Sequence, residues 1–169
     1  AVQRESKNVR ENAGILDGST LGKIEIKGED ALEFMNLIYT NSFTKMKQGS
    51  ARYALMLGED GMVKDDGIIC KISDQHFIAT TTTGGAATVL GCMEEYAQTE
   101  WPNLKVFMNS ITEQYATFNI SGPKTREIMK KAFPNINFSN EEFPFMTFQF
   151  HEFNGVPIRI LRASFTGEL

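Results

Sequence analysis

The chain has 169 residues, 41% of them hydrophobic and 22% charged, with a formal net charge of −4. That composition suits one globular domain, or two small packed halves, able to bury a core without disulfides or metal. The acidic balance weighs against nucleic acid, the two cysteines lack disulfide-framework or metal-ligand spacing, and no apolar run has the length of a membrane span, so a cytoplasmic setting with no metal, nucleic acid or membrane partner is expected.

In chain order, residues 2–11 suit a short polar helix, and the stretch NAGILDGST after it reads as a loop. LGKIEIKG alternates, with Ile24 and Ile26 on the face opposite Lys23 and Glu25, which predicts a strand. EDALEFMNLIY puts Ala31, Phe34, Met35 and Ile38 on one helical face, with Glu29 and Asp30 well placed in its first turn. ARYALML and MVKDDGIICKI read as a hairpin about the turn GEDG, and HFIATTTT as a third strand. Gly84 and Gly85 then open a helix with Val89, Met93, Tyr96 and Ala97 along one stripe. LKVFM and QYATFNIS are strand-like, and a helix in SGPKTREIMKKAF has Pro123 near its start and Lys130 and Lys131 near its end. FMTFQFHEF and VPIRILRAS form a hairpin about Asn154-Gly155. The order βαβββα followed by ββαββ is that of an α+β protein, without the strict βαβ alternation of a doubly wound sheet.

Several stretches carry candidate chemistry. GSTLGKI lacks the spacing of a phosphate loop, and no GxGxxG is present. His76 and His151 both sit in strand-like runs, where a hydrogen-bonded structural role is the simpler expectation. The seven phenylalanines between Phe133 and Phe153 suit core packing better than a ligand stack. TTTTGG would send Thr81 and Thr83 to one face and Thr80 and Thr82 to the other; it suits a polar ligand at a strand end, or β-propensity and a turn, about equally. Asp65 and Asp66 interrupt a strand, and alternation lets only one of them look inward. An inward carboxylate needs a partner or a shifted pKa, which makes it an acid/base or amine-orienting candidate.

The blocks NAGILDGSTLGKIEIKGEDALEF, ARYALMLGEDGMVKDDGI, SGPK, FPFM and SFTGEL occur in order across nearly the whole chain. Together they resemble the folate-binding aminomethyltransferase family, which includes the T-protein of the glycine cleavage system. LDGSTLGKI, YTNSF, MLGEDGMV and TTTTGGA look most like the C-terminal part of the alpha subunit of heterotetrameric sarcosine oxidase. The resemblance implies an α+β folate-binding fold of two related halves, mostly of antiparallel strands with packed helices, occupying residues 1–169 as a piece of a longer chain truncated at both ends.

It implies tetrahydrofolate as ligand, with FAD, FMN and NAD held by other parts of an assembly that includes the other sarcosine oxidase subunits. The one-carbon unit of oxidised sarcosine would be captured as 5,10-methylenetetrahydrofolate. The alternatives are a folate-dependent aminomethyltransferase or demethylase without a flavin partner, and a non-catalytic binding or assembly module. By the same resemblance Asp65 is the key carboxylate and Asp66 its outward, structural neighbour. Tyr53 and Leu21 contact the pterin, Thr81 and Thr82 (or Thr83) hydrogen-bond its edge, and Phe165 stands where the family has a tyrosine. The family's folate-contacting Glu lies beyond Leu169, so the isolated piece is expected to bind folate weakly and to have little activity.

Overall fold

The computed structural model describes residues 1–164, and the chain forms two compact units. One is continuous, Ser19–Tyr115; the other is assembled from Ala1–Gly18 and the residues from Ala116 onward. Phe165 lies outside the described residues, as does the TGEL that follows it.

The continuous unit is built on a five-stranded antiparallel sheet in the order β3-β4-β5-β2-β6. Its strands are β2 (Gly22–Lys27), β3 (Ala51–Leu57), β4 (Val63–Ser73), β5 (His76–Thr81) and β6 (Phe107–Ser110). β1 belongs to the other unit. Period-two alternation gives the sheet one apolar face, with Ile24, Ile26, Ala54, Met56, Ile69, Phe77 and Ala79 all buried. Against this face pack α2 (Ala31–Ile38), through the expected stripe Ala31, Phe34, Met35 and Ile38, and α3 (Ala86–Thr99), through Val89, Cys92 and Met93. Tyr96 and Ala97 continue the α3 stripe at the margin of this core, and Phe34 meets Trp101 edge-on at 5.9 Å between ring centroids.

The other unit starts with α1 (Val2–Glu11), a polar helix with no buried residue, as its composition predicts. Strand β1 (Gly14–Asp17) follows, in the stretch expected to be a loop. It pairs antiparallel with β7 (Phe118–Ser121), Gly14 opposite Ser121 and Asp17 opposite Phe118. Ile15 and Leu16 are adjacent and both exposed, so this strand has no alternation from which it could be read. The pairing also explains why the units are not successive halves: it fastens the first residues to the segment after Tyr115. Then come α4 (Thr125–Ala132) and the hairpin of β8 (Thr147–Phe153) and β9 (Val156–Arg162). Asn154 and Gly155 both adopt positive φ, 51° and 79°, the conformation a tight two-residue hairpin turn requires. Of the seven phenylalanines in this region, Phe138, Phe143 and Phe148 are buried, whereas Phe145, Phe150 and Phe153 are exposed, so core packing accounts for only part of the cluster.

Candidate functional site

The two carboxylates sit where β4 parts from β5. The β3–β4 hairpin turns at GEDG, where Gly61 takes φ 76° and the Gly58 N–H donates to Met62 O at 2.8 Å. A bulge falls between the pairs Leu57–Val63 and Met56–Asp65. Beyond it the register is regular, Met56 opposite Asp65 and Leu55 opposite Asp66, so the two acids do point to opposite faces of the sheet.

Asp65 shares the helix-covered face with Met56 and is only 7% exposed. The Thr82 backbone N–H donates to its Oδ2 at 3.2 Å. Gly85, at the start of α3, stands so close that a Cβ there would lie 2.8 Å from the same oxygen. Its charge is felt by Tyr39: burial first, then Asp65 and Cys92, push the Tyr39 phenol well above its usual range. Asp65 is thus enclosed and bound to its own protein.

Asp66 lies on the other face with Tyr53, whose cross-strand partner is Ile68. The Tyr53 hydroxyl donates to Asp66 Oδ2 at 2.6 Å, and half of the tyrosine is exposed. That hydrogen bond first, then desolvation and the carboxylate's charge, raise the phenol above its ordinary value. An exposed aromatic ring beside an anionic acceptor is an arrangement that can stack a flat heterocycle and hold or take a proton from its amine. The resemblance gives Asp66 a structural place facing away. Alternation along the two strands of the hairpin was the signal that could have joined it to Tyr53, since Asp66 pairs with Leu55, two residues from Tyr53 and on the same face.

The threonines serve the turn into α3. Thr81 is buried and donates to Thr82 O at 2.9 Å; the Thr82 hydroxyl accepts from Gly85 N–H at 3.0 Å; Thr83 meets Thr20, hydroxyl to hydroxyl, at 3.2 Å. Thr80 was not singled out, yet its Oγ1 accepts from the Ile68 N–H at 2.8 Å and donates to Ile68 O at 3.3 Å. Leu21 is partly exposed. Lys23, in the stretch tested as a phosphate loop, is buried and donates to Ser19 O and Leu21 O at 3.1 and 2.8 Å, opening a strand where a phosphate loop would open a helix. The histidines form local pairs, His76 with Glu25 and His151 with Gln149, each at 2.9 Å. Among the described residues, no helix is long and apolar enough to cross a membrane.

Comparison with known proteins identifies the family. The GCVT N-terminal domain matches residues 1–169. The chain is 50% identical over its whole length to the sarcosine oxidase subunit alpha of Corynebacterium sp. (strain U-96), and 46% identical to that of Rhizobium meliloti (strain 1021). It spans 18% and 17% of the length of those two proteins. An aminomethyltransferase of Chlorobium phaeovibrioides is 30% identical over 99% of the chain, which covers 44% of that protein. The crystal structure of glycine cleavage system aminomethyltransferase T from Bartonella henselae superposes with a TM-score of 0.82 at 21% identity, over 99% of this chain and 43% of that one. This structural likeness shows the α+β fold.

Proposed function

Because the chain belongs to the GCVT N-terminal domain family, we propose that it is the tetrahydrofolate-binding module of a sarcosine oxidase alpha subunit, where the one-carbon unit of oxidised sarcosine is captured as 5,10-methylenetetrahydrofolate. Identity of 50% to a protein of that name, against 30% to an aminomethyltransferase, supports this branch over a folate enzyme without a flavin partner. Flavin and nicotinamide cofactors, and the other subunits, then belong to parts of the assembly outside these residues.

The observation that carries the site is the Tyr53–Asp66 pair. Tetrahydrofolate supplies the amine that accepts the one-carbon unit, and such an amine needs an acceptor for its proton and a surface against which its ring is oriented. Asp66 offers the acceptor and Tyr53 the surface, on one face of the hairpin and in hydrogen-bond contact. Leu21 offers apolar area with part of its side chain accessible. Asp65, the carboxylate singled out by resemblance, is enclosed and already accepts from Thr82, so we assign the proton-accepting role to Asp66. Thr81 and Thr82 use their hydroxyls in the turn before α3 and Thr83 meets Thr20, so the three shape that edge.

The test uses the full-length assembly. With Asp66→Asn, flavin reduction by sarcosine continues while the yield of methylenetetrahydrofolate falls at least ~10-fold, as expected for loss of a general base. An unchanged yield, or loss of both reactions together, would refute the assignment.

A further inference from the structure

We propose that Thr80 is a positioning residue for the Tyr53–Asp66 pair, its side chain replacing the β-ladder that β4 and β5 give up just before the acid. This rests on the reading of that pair as the functional site. The two strands are in regular register at Ile69–Ala79. The next pair along would be Ile68 and Thr80, and there the main chain no longer supplies the bonds. Both polar groups of Ile68 are met by one hydroxyl, Thr80 Oγ1, as acceptor at 2.8 Å and as donor at 3.3 Å. Ile68 is in turn the cross-strand partner of Tyr53 and stands two residues from Asp66.

The same spot is closed from the other side. Gly67 lies so near β5 that a Cβ would fall 1.9 Å from Thr80 O. Asp65 reaches across the widening gap to the Thr82 N–H. Asp65, Gly67 and Ile68 are therefore held against the end of β5 and the residue after it, by a carboxylate, by a close backbone approach and by a hydroxyl. Asp66, between them, has its own carboxylate directed to Tyr53. An orphan N–H at Ile68 would let this stretch of β4 move and lengthen the Tyr53–Asp66 hydrogen bond.

The inference is tested on the 169-residue chain by NMR titration of the tyrosine ring carbons, Tyr53 being assigned by its disappearance in Tyr53→Phe. In the unaltered chain the Tyr53 midpoint lies above that of an ordinary phenol, and Asp66→Asn brings it down. Thr80→Val, which keeps the shape and loses the hydroxyl, is expected to shift the Tyr53 midpoint toward the Asp66→Asn value, and Thr80→Ser to restore it. A Thr80→Val chain that folds and leaves the Tyr53 midpoint where it was would overturn the proposal. Amide exchange in the unaltered chain gives a reading that no variant's folding can confound. Ile68 must be protected; exchange at the rate of an unbonded amide would also overturn it. Neither measurement involves folate, so failure of the folate assignment leaves them intact, and their failure leaves the Asp66→Asn experiment to be judged by itself.

Discussion

Adding one methyl group at Gly67 and one at Gly91 should move stability in opposite directions. At Gly67 the new Cβ would meet Thr80 O at 1.9 Å and Thr80 C at 2.7 Å, both main-chain atoms, so relief requires β4 and β5 to separate. Overpacking of this kind costs about 1–3 kcal/mol. Separation also breaks the two hydrogen bonds between Thr80 and Ile68, at about 1 kcal/mol each. Gly67→Ala should then lose ~3–5 kcal/mol, a fall of roughly 6–20 °C in Tm for a chain of this size. Gly91 lies inside α3 with nothing within 4 Å of where a Cβ would stand. There Gly→Ala should add about 0.5–1 kcal/mol, from helix propensity alone. Thermal unfolding of both variants, followed by far-UV circular dichroism, provides the comparison. A Gly67→Ala chain within ~0.5 kcal/mol of the original would refute the close approach of the strands, and with it the argument that Thr80 stands in for the ladder.

Further outcomes follow from the packing and the charges. Phe34→Ala empties the middle of the larger core and removes the edge contact with Trp101, and should cost about 3–5 kcal/mol, measured as a lowered urea midpoint with unchanged m. Burial pushes the Glu25 carboxyl up, but hydrogen bonds from Lys27 and His76 outweigh this and hold it below its ordinary 4.5. A lowered folded-state value contributes stability above the unfolded pKa that is lost as pH falls through the folded one. The stability of Glu25→Gln, from urea curves between about pH 3 and pH 6, should therefore fall less steeply below pH 4.5 than that of the original; parallel curves would show that Glu25 is not the group responsible.

Where side chains carry a period, the sequence was a good guide. The Ala31, Phe34, Met35 and Ile38 stripe and the alternation of β2 each follow from burying one face, and Asn154-Gly155 from the φ its turn demands. The opposed faces of Asp65 and Asp66 were legible for the same reason, because the bulge falls before them and leaves their register intact. The surroundings of the two acids were not. The inward Asp65 accepts from the Thr82 N–H at the turn into α3, and Asp66 from the Tyr53 hydroxyl, contacts that a one-dimensional pattern does not show. β1 escaped because its apolar pair, Ile15 and Leu16, is exposed on both sides of the ribbon and its partner lies about a hundred residues on. Thr80 escaped because a threonine in a strand reads as β-propensity whether or not its hydroxyl bonds to the neighbouring backbone.

The β1–β7 ribbon has a consequence for how the chain can be cut and rejoined. It continues past Asp17 to the Gly18 N–H, which donates to Thr117 O at 2.8 Å. Residues 19–115 thus leave and re-enter the ribbon at one place, as a guest held by its two ends in a host. The host's pairing has already met the entropy of bringing those ends together, so the length of the guest adds little to it. Expressed alone, with Ser19 and Tyr115 joined by a short glycine linker and new termini opened in the GEDG turn, the guest should keep its five-stranded sheet. The host, given a short bridge from Gly18 to Ala116, should keep its ribbon in the same way.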